Sequence, residues 1–316
     1  MYNYRKHIHV IVFVIIVMVS FNIDHNPFQV ESQATFSPVE IVKGQDPLYQ
    51  EIEEKSERYN EEPEDAYIDR VWKKIPGRNG RQVDIAASYE RMKKAGEFNE
   101  DLLVYQPIPP KVSLNDLGPA PIYRGHPDKQ MVSFLINVSW GTEYIPDILN
   151  TLKEQKVKAT FFIEGKWAKE NVEYVKMIKE QGHTIGNHAY NHPDMARLGR
   201  AEIEKQIKDT NEVLHAITGE DSKWFAPPSG SYSDEVVKVA DELHMNTILW
   251  SVDTIDWKNP TVDVMMNRVI GKLHPGATIL MHPTASVAKG LPSLITEIKA
   301  RDYKIGSIDK LLSETR

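Results

Sequence analysis

The chain has 316 residues, 41% of them hydrophobic and 26% charged, with a formal net charge of -7, an ordinary balance for a folded protein of one large domain and a smaller one. The acidic balance argues against nucleic acid as a partner, because phosphate binding asks for basic patches. Cysteine is absent, which excludes a disulfide scaffold, a thiol nucleophile and a thiolate-held zinc.

In chain order, Arg5 and Lys6 precede an unbroken apolar run from Val10 to Val19. Its length falls between a signal-peptide core and a minimal membrane helix. Residues 1–34 therefore read as an export signal or an uncleaved membrane anchor, with the positive end cytoplasmic. The remainder is expected to be extracytoplasmic, in the cell wall or anchored to the membrane. Residues 35–60, which include Glu51-Ile52-Glu53-Glu54-Lys55, read as a solvated stalk with room for a short helix. Residues 61–127 read as a small unit followed by a Pro-rich linker. Here the pattern predicts a helix from Ala66 to Lys74, a turn at Pro76-Gly77-Arg78-Asn79-Gly80 and a helix from Asp84 through Lys94. The prolines between Tyr105 and Lys129 suit an extended segment.

From residue 128 to 316 apolar runs alternate with helical patterns. Strands are expected at Val132–Val138, Ala159–Ile163, Thr184–Asn187, Trp224–Ala226, Thr247–Val252 and Thr278–Met281. Helices are expected at Tyr144–Gln155, Glu170–Gln181, Arg200–Ile217, Asp234–Leu243, Val262–Lys272 and Leu291–Lys299. Repeated strand–helix units imply parallel strands with right-handed crossovers, in a barrel or an open sheet. The polar motifs favour the barrel. His188, Pro227, Asp253 and His282 each follow a different strand, and only in a barrel do so many strand tips converge on one face.

These residues suggest hydrolytic chemistry. His188 and His192 form an H-x-x-x-H pair on a strand-end loop, where two imidazoles can converge on one metal. Asp253 and Asp256 are both candidates for a carboxylate that orients a histidine, with Trp257 as a pocket wall. His282, ending an apolar strand, is the candidate general acid.

In this order the motifs resemble the polysaccharide deacetylase family, also called the NodB-homology domain or carbohydrate esterase family four. The stretches Ile136–Gly141, Pro121–Gly125 and Phe225–Gly230 resemble its YlxY-like subgroup in Gram-positive bacilli. The resemblance implies an α/β fold, a distorted (β/α)7 barrel over residues 128–316. It implies a divalent metal, usually zinc, held by Asp-His-His, and removal of acetyl groups from peptidoglycan, chitin or a related glycan. His188 and His192 match the metal-binding histidines, and His282 matches the catalytic acid. Asp253 and Asp256 lie in the segment that tunes that acid. Leu280 matches the residue lining the acetyl pocket. Trp257, Trp140, Pro228, Ser229 and Gly230 fall on the substrate side.

Two departures stand out. The family opens with T-F-D-D-G, whereas Ile136-Asn137-Val138-Ser139-Trp140-Gly141 holds no carboxylate. Anchoring on Gly141 puts Ser139 and Trp140 at the two Asp positions; a longer F-D-I-S-W-G variant puts Asn137 at the first. Ala226 stands where the third motif normally has an Arg that pairs with the first Asp. Loss of both is coherent, since a buried Arg stripped of its carboxylate costs about 3–5 kcal/mol. Asn137 cannot serve as a base near neutral pH, and loss of that help costs about 10²–10⁴ in rate. Two histidines hold a metal more weakly than Asp-His-His, so zinc is expected to be weakly held or absent. Glu143 is a carboxylate in the same loop that could compensate. Two readings follow: an exported cell-wall glycan deacetylase with a weakened site, or a catalytically inactive member that binds glycan or a protein partner. Little or no turnover is expected on standard N-acetylglucosamine oligomers.

Overall fold

The computed structural model describes residues 46–316. The apolar N-terminal segment, residues 1–34, and the start of the stalk lie outside the described residues. By contacts the described chain forms two units, 46–55 with 85–103 and 56–84 with 104–316. No helix among the described residues is long and apolar enough to cross a membrane.

The first unit is built on two helices, α1 (Pro47–Ser56) and α2 (Ile85–Met92). Ile52 and Met92 are fully buried. Tyr49 meets Tyr89 edge-on at 5.7 Å between ring centroids, and the Tyr89 hydroxyl donates to Asp46 Oδ2 at 2.9 Å.

The second unit begins with a correction. The predicted helix from Ala66 to Lys74 is an antiparallel hairpin of β1 (Tyr67–Asp69) and β2 (Lys73–Ile75). Asp69 Oδ1 accepts from the backbone N–H groups of Val71 and Trp72, both at 2.7 Å. That side-chain turn offers the backbone an alternative to helix. Next come β3 (Gly80–Val83) and β4 (Tyr105–Ile108), also antiparallel. Pro107 is tolerated in β4 because a two-stranded ribbon consists only of edges.

The main sheet is wholly parallel. Its path runs β10 (Val252–Asp253), β11 (Thr278–Met281), β5 (Met131–Val138), β6 (Thr160–Ile163), β7 (Thr184–Asn187), β8 (Trp224–Phe225), β9 (Asn246–Thr247). A further strand, β12 (Lys304–Gly306), pairs beside β5. The expected strand Thr247–Val252 is thus two short strands. The N–H of Ile122 donates to Thr247 O at 2.9 Å and its carbonyl accepts from Leu249 at 2.8 Å, so the segment before β5 pairs with the chain just past β9. The connecting helices are α3 (Ile145–Glu154), α4 (Gly165–Glu170), α5 (Val172–Glu180), α6 (Arg200–Thr218), α7 (Asp234–Glu242), α8 (Val262–Ile270), α9 (Ala285–Lys299) and α10 (Ile308–Leu312). Helix α9 starts at Ala285, ahead of the expected Leu291, because Thr284 caps it by accepting from the Val287 N–H.

Strand alternation sorts the side chains into two cores. Val132, Phe134, Ile136 and Val138 pack outward with the helices, together with Phe161, Ile163, Ile279 and Met281. Leu135, Phe162, Ala226, Ile248 and Ile122 fill the inside of the curl. Inside positions on β5 are therefore odd-numbered, and Asn137 and Ser139 face inward at its end. This is the α/β fold expected, a curled parallel sheet clad by helices.

Candidate functional site

The site grows out of strand register. Val138, Ile163, Asn187, Phe225 and Thr247 align across five neighbouring strands. One residue on, the ladder continues through Glu164 N–H to Val138 O (2.9 Å), His188 to Ile163 (3.1 Å), Ala226 to Asn187 (2.9 Å) and Ile248 to Phe225 (2.7 Å). Ser139, Glu164, His188, Ala226 and Ile248 thus form the topmost inward row of the barrel mouth. On the other flank Met281 pairs with Ile136, which brings His282 level with Asn137. Gly141 follows with φ 75°, and a Cβ there would lie 2.0 Å from Pro283 O. Only glycine allows the loop after β5 to close against the loop after β11.

His188 is 1% exposed, and its Nδ1 lies 2.7 Å from Ala226 O. A carbonyl can only accept, so Nδ1 carries the proton and Nε2 keeps its lone pair. Burial, with His192 adding to it, pushes the His188 imidazole down to about 3. The His192 ring stands 5.2 Å away, centroid to centroid, at 73°. Loss of water lowers its pKa too, and His282 adds to the effect.

At the opposite flank Asp256 is wholly buried. Its Oδ2 accepts from the His282 N–H at 2.8 Å, and its Oδ1 sits 2.9 Å from His282 Nδ1. The hydroxyls of Thr254 (2.9 Å) and Thr284 (3.1 Å) also donate to it. Asp253 is engaged elsewhere, its Oδ1 accepting from the Ile255 N–H at 2.8 Å. Ile255 has φ 52°, a strained value for a β-branched residue. The carboxylate beside His282 is therefore Asp256, and Asp253 braces the turn between them.

Trp140 is 45% exposed and stacks on His282, with centroids 5.9 Å apart and planes 11° apart. Leu280 is buried one inward position below His282. Trp257 is exposed, with Lys258 Nζ 4.8 Å from its ring centroid. Pro228, Ser229 and Gly230 make a turn in which Ser229 has φ 54°. Of nine non-glycine residues with positive φ among the described residues, five (Ala189, His192, Ser229, Ile255 and Asn259) lie in these loops. Backbone strain is thus concentrated around the mouth.

The opening motif supplies no charge. Asn137 is buried, and neither its Oδ1 nor Ser139 Oγ has a hydrogen-bond partner. Glu143 is exposed, in the turn Thr142–Tyr144. Among the described residues, no third His, Cys, Asp or Glu joins His188 and His192 in a group whose ligand atoms all lie within 4.8 Å of one another. The pair offers two free imidazoles but not the three protein ligands of a catalytic zinc. The donor set therefore does not fit the Asp-His-His centre.

A different trio, Glu64, His126 and Asp128, does meet that distance. It lies before β5, at the foot of the strands. Arg78 already stands 2.6 Å from Glu64 and 3.5 Å from Asp128, and His126 Nε2 is 3.2 Å from Glu64. A guanidinium holds the position a metal would need, so the trio reads as an ion-pair network. A groove of about 980 Å³, lined by Lys74, Trp224, Asp241 and Asn246 among others, contains none of the mouth residues.

Sequence reading missed Glu164. An acid closing the run Phe161-Phe162-Ile163 at a strand tip was the available signal. It is 8% exposed, and burial raises its carboxyl above the usual range.

The buried imidazoles make the fold acid-sensitive. His183, whose Nδ1 accepts from the Ala159 N–H at 3.2 Å, is pushed down by burial to about 4. Both His183 and His188 are depressed below the unfolded 6.5. Their contribution is therefore complete above that value and is lost as pH falls toward 4 and then 3. Each should remove about 1.4 kcal/mol of stability per pH unit in its window. Urea unfolding at pH 7 and pH 5 measures this; equal midpoints would contradict it.

The polysaccharide deacetylase family profile matches residues 124–248. The protein YlxY of Bacillus subtilis is 46% identical over 315 residues, 99% of each chain. A peptidoglycan-N-acetylglucosamine deacetylase of Bacillus cereus is 33% identical over 199 residues, 61% of this chain and 72% of that one. Among solved structures, a carbohydrate esterase family four pseudoenzyme from Bacillus anthracis is 52% identical, with a TM-score of 0.81 over 86% of this chain and 97% of that one. A mutant of that pseudoenzyme is described as having restored enzymatic activity. From the register of its strand tips to its full-length likeness to these proteins, the chain belongs to the polysaccharide deacetylase family, carbohydrate esterase family four.

Proposed function

We propose that this chain is an exported member of the family that binds cell-wall glycan in its barrel mouth without hydrolysing it. One observation carries the reading: His188, His192 and the His282–Asp256 pair are assembled, yet an amide, Asn137, and a methyl, Ala226, stand where the family has its base and the guanidinium that pairs with it. Acetyl hydrolysis needs a group that takes a proton from water. An amide cannot do so near neutral pH, and no carboxylate joins the imidazole pair. No step through a metal follows from this donor set.

What remains suits binding. Asp256 fixes His282 through Nδ1, which leaves Nε2 to accept from a sugar hydroxyl. Trp140 offers an exposed ring face beside it, and an aromatic face is a good platform for an apolar sugar face. Leu280 and Phe162 give the mouth an apolar floor. The apolar run from Val10 to Val19 after Arg5 and Lys6 supports export. The pseudoenzyme from Bacillus anthracis supports silence. The retained His282–Asp256 pair favours a second reading, a slow deacetylase.

Acetate release from N-acetylglucosamine oligomers and from peptidoglycan, measured with added zinc, separates the two readings. We expect none above background. Release that disappears in His282→Ala would overturn the silent reading.

A further inference from the structure

We propose that the mouth selects glycan carrying a free amine, with Glu164, Ser139 and Asn137 receiving the ammonium of a de-N-acetylated amino sugar. The inference rests on the glycan-binding reading and names the ligand's chemistry. Glu164 continues β6 in extended backbone, φ -65° and ψ 134°. Its side chain therefore points the same way as Phe162, which lies in the inner core. Register puts it between Ser139 and His188 in the top inward row. It is 8% exposed, and among the described residues no ion pair reaches its carboxylate. Ser139 is close enough to draw the carboxyl pKa down, though outside hydrogen-bond geometry. Lys166 and Glu170 act on it more weakly and in opposite directions.

Ser139 Oγ and Asn137 Oδ1, at the inner end of β5, have no hydrogen-bond partner, and the Glu164 carboxylate stands level with them on the adjacent strand without a cationic partner. Buried acceptors left unpaired cost free energy, so a ligand that supplies donors is favoured. An alkylammonium has three N–H donors and a positive charge. An acetamido group has one donor, no charge and a carbonyl that would face these acceptors. The surroundings agree. Ala226 in the same row brings no competing cation. A charge-assisted contact to a buried carboxylate is about twice as strong as a neutral one.

Calorimetric titration of the full chain with glucosamine tetramer and N-acetylglucosamine tetramer, at fixed ionic strength and without metal, tests this. The amine oligomer should bind about tenfold more tightly. Glu164→Gln should abolish the preference, weakening the amine oligomer about tenfold relative to the acetylated one. Ser139→Ala, a milder change, should narrow the preference a few-fold and guards against a folding defect in the first variant. Equal binding of both oligomers by the wild-type chain would overturn the proposal, as would a preference that survives Glu164→Gln. If Glu164→Gln lowers only zinc uptake, the carboxylate serves a metal and the proposal also falls. Binding of the acetylated oligomer alone sinks this inference and leaves glycan binding standing; binding of neither sinks both.

Discussion

Asn137→Asp combined with Ala226→Arg should raise acetate release from N-acetylated oligomers by about 10²–10⁴-fold over the wild-type chain. Asn137 faces inward level with His282, and Ala226 stands beside His188, whose Nδ1 its carbonyl already accepts from. An Asp at 137 would bring a carboxylate into the mouth, close to the His282–Asp256 pair. Alone, it would be a buried charge without a partner, as would an Arg alone at 226. Each single change should therefore destabilise the fold by about 3–5 kcal/mol, while the double change costs far less. A double-mutant cycle in urea unfolding measures that coupling, and acetate assays with zinc present measure the chemistry. A double variant as silent as the wild type, with additive stability losses, would show that the two positions do not form a pair.

Asp256→Ala should be among the most destabilising single changes in the barrel, by about 3–5 kcal/mol. The carboxylate is wholly buried and accepts from the His282 backbone and ring and from two threonine hydroxyls. Removing it leaves these donors facing a cavity. Asp253→Ala loses only the brace on the Ile255 N–H, for a cost of about 1 kcal/mol. Urea midpoints of the two variants, read side by side, decide the matter. Equal losses would mean that Asp253 contributes as much as Asp256 to holding His282.

Much of this architecture was legible in the sequence. Apolar runs of strand length that alternate with helical spacing can bury their faces only as a parallel sheet clad by helices. Polar residues one step past those runs had to meet where the strand tips meet. His188 and His282 stand out that way because each follows a strand-like run, and His192 by its spacing from His188. Tertiary hydrogen bonds were not legible. Nothing in spacing distinguishes Asp253 from Asp256, which lie together at the end of β10, until the Thr254 and Thr284 hydroxyls and the His282 N–H are seen to point at only one of them. The hairpin at Tyr67–Ile75 was hidden because Asp69 acts through its side chain on the backbone, and helical spacing carries no trace of that. Glu164 escaped notice because one acid at the end of a strand looks like an ordinary helix start. Only register shows that it faces inward between Ser139 and His188.

Binding without turnover is most directly tested in a single sample. Wild-type chain, zinc and N-acetylglucosamine tetramer are mixed and followed by proton NMR over days. Saturation transfer to the sugar reports occupancy of the mouth, and the methyl line of free acetate reports hydrolysis. The expected spectrum shows transfer to the sugar and no growing acetate line. An acetate line that grows in the wild type and not in His282→Ala, or a sugar that receives no transfer at any concentration tried, would contradict it.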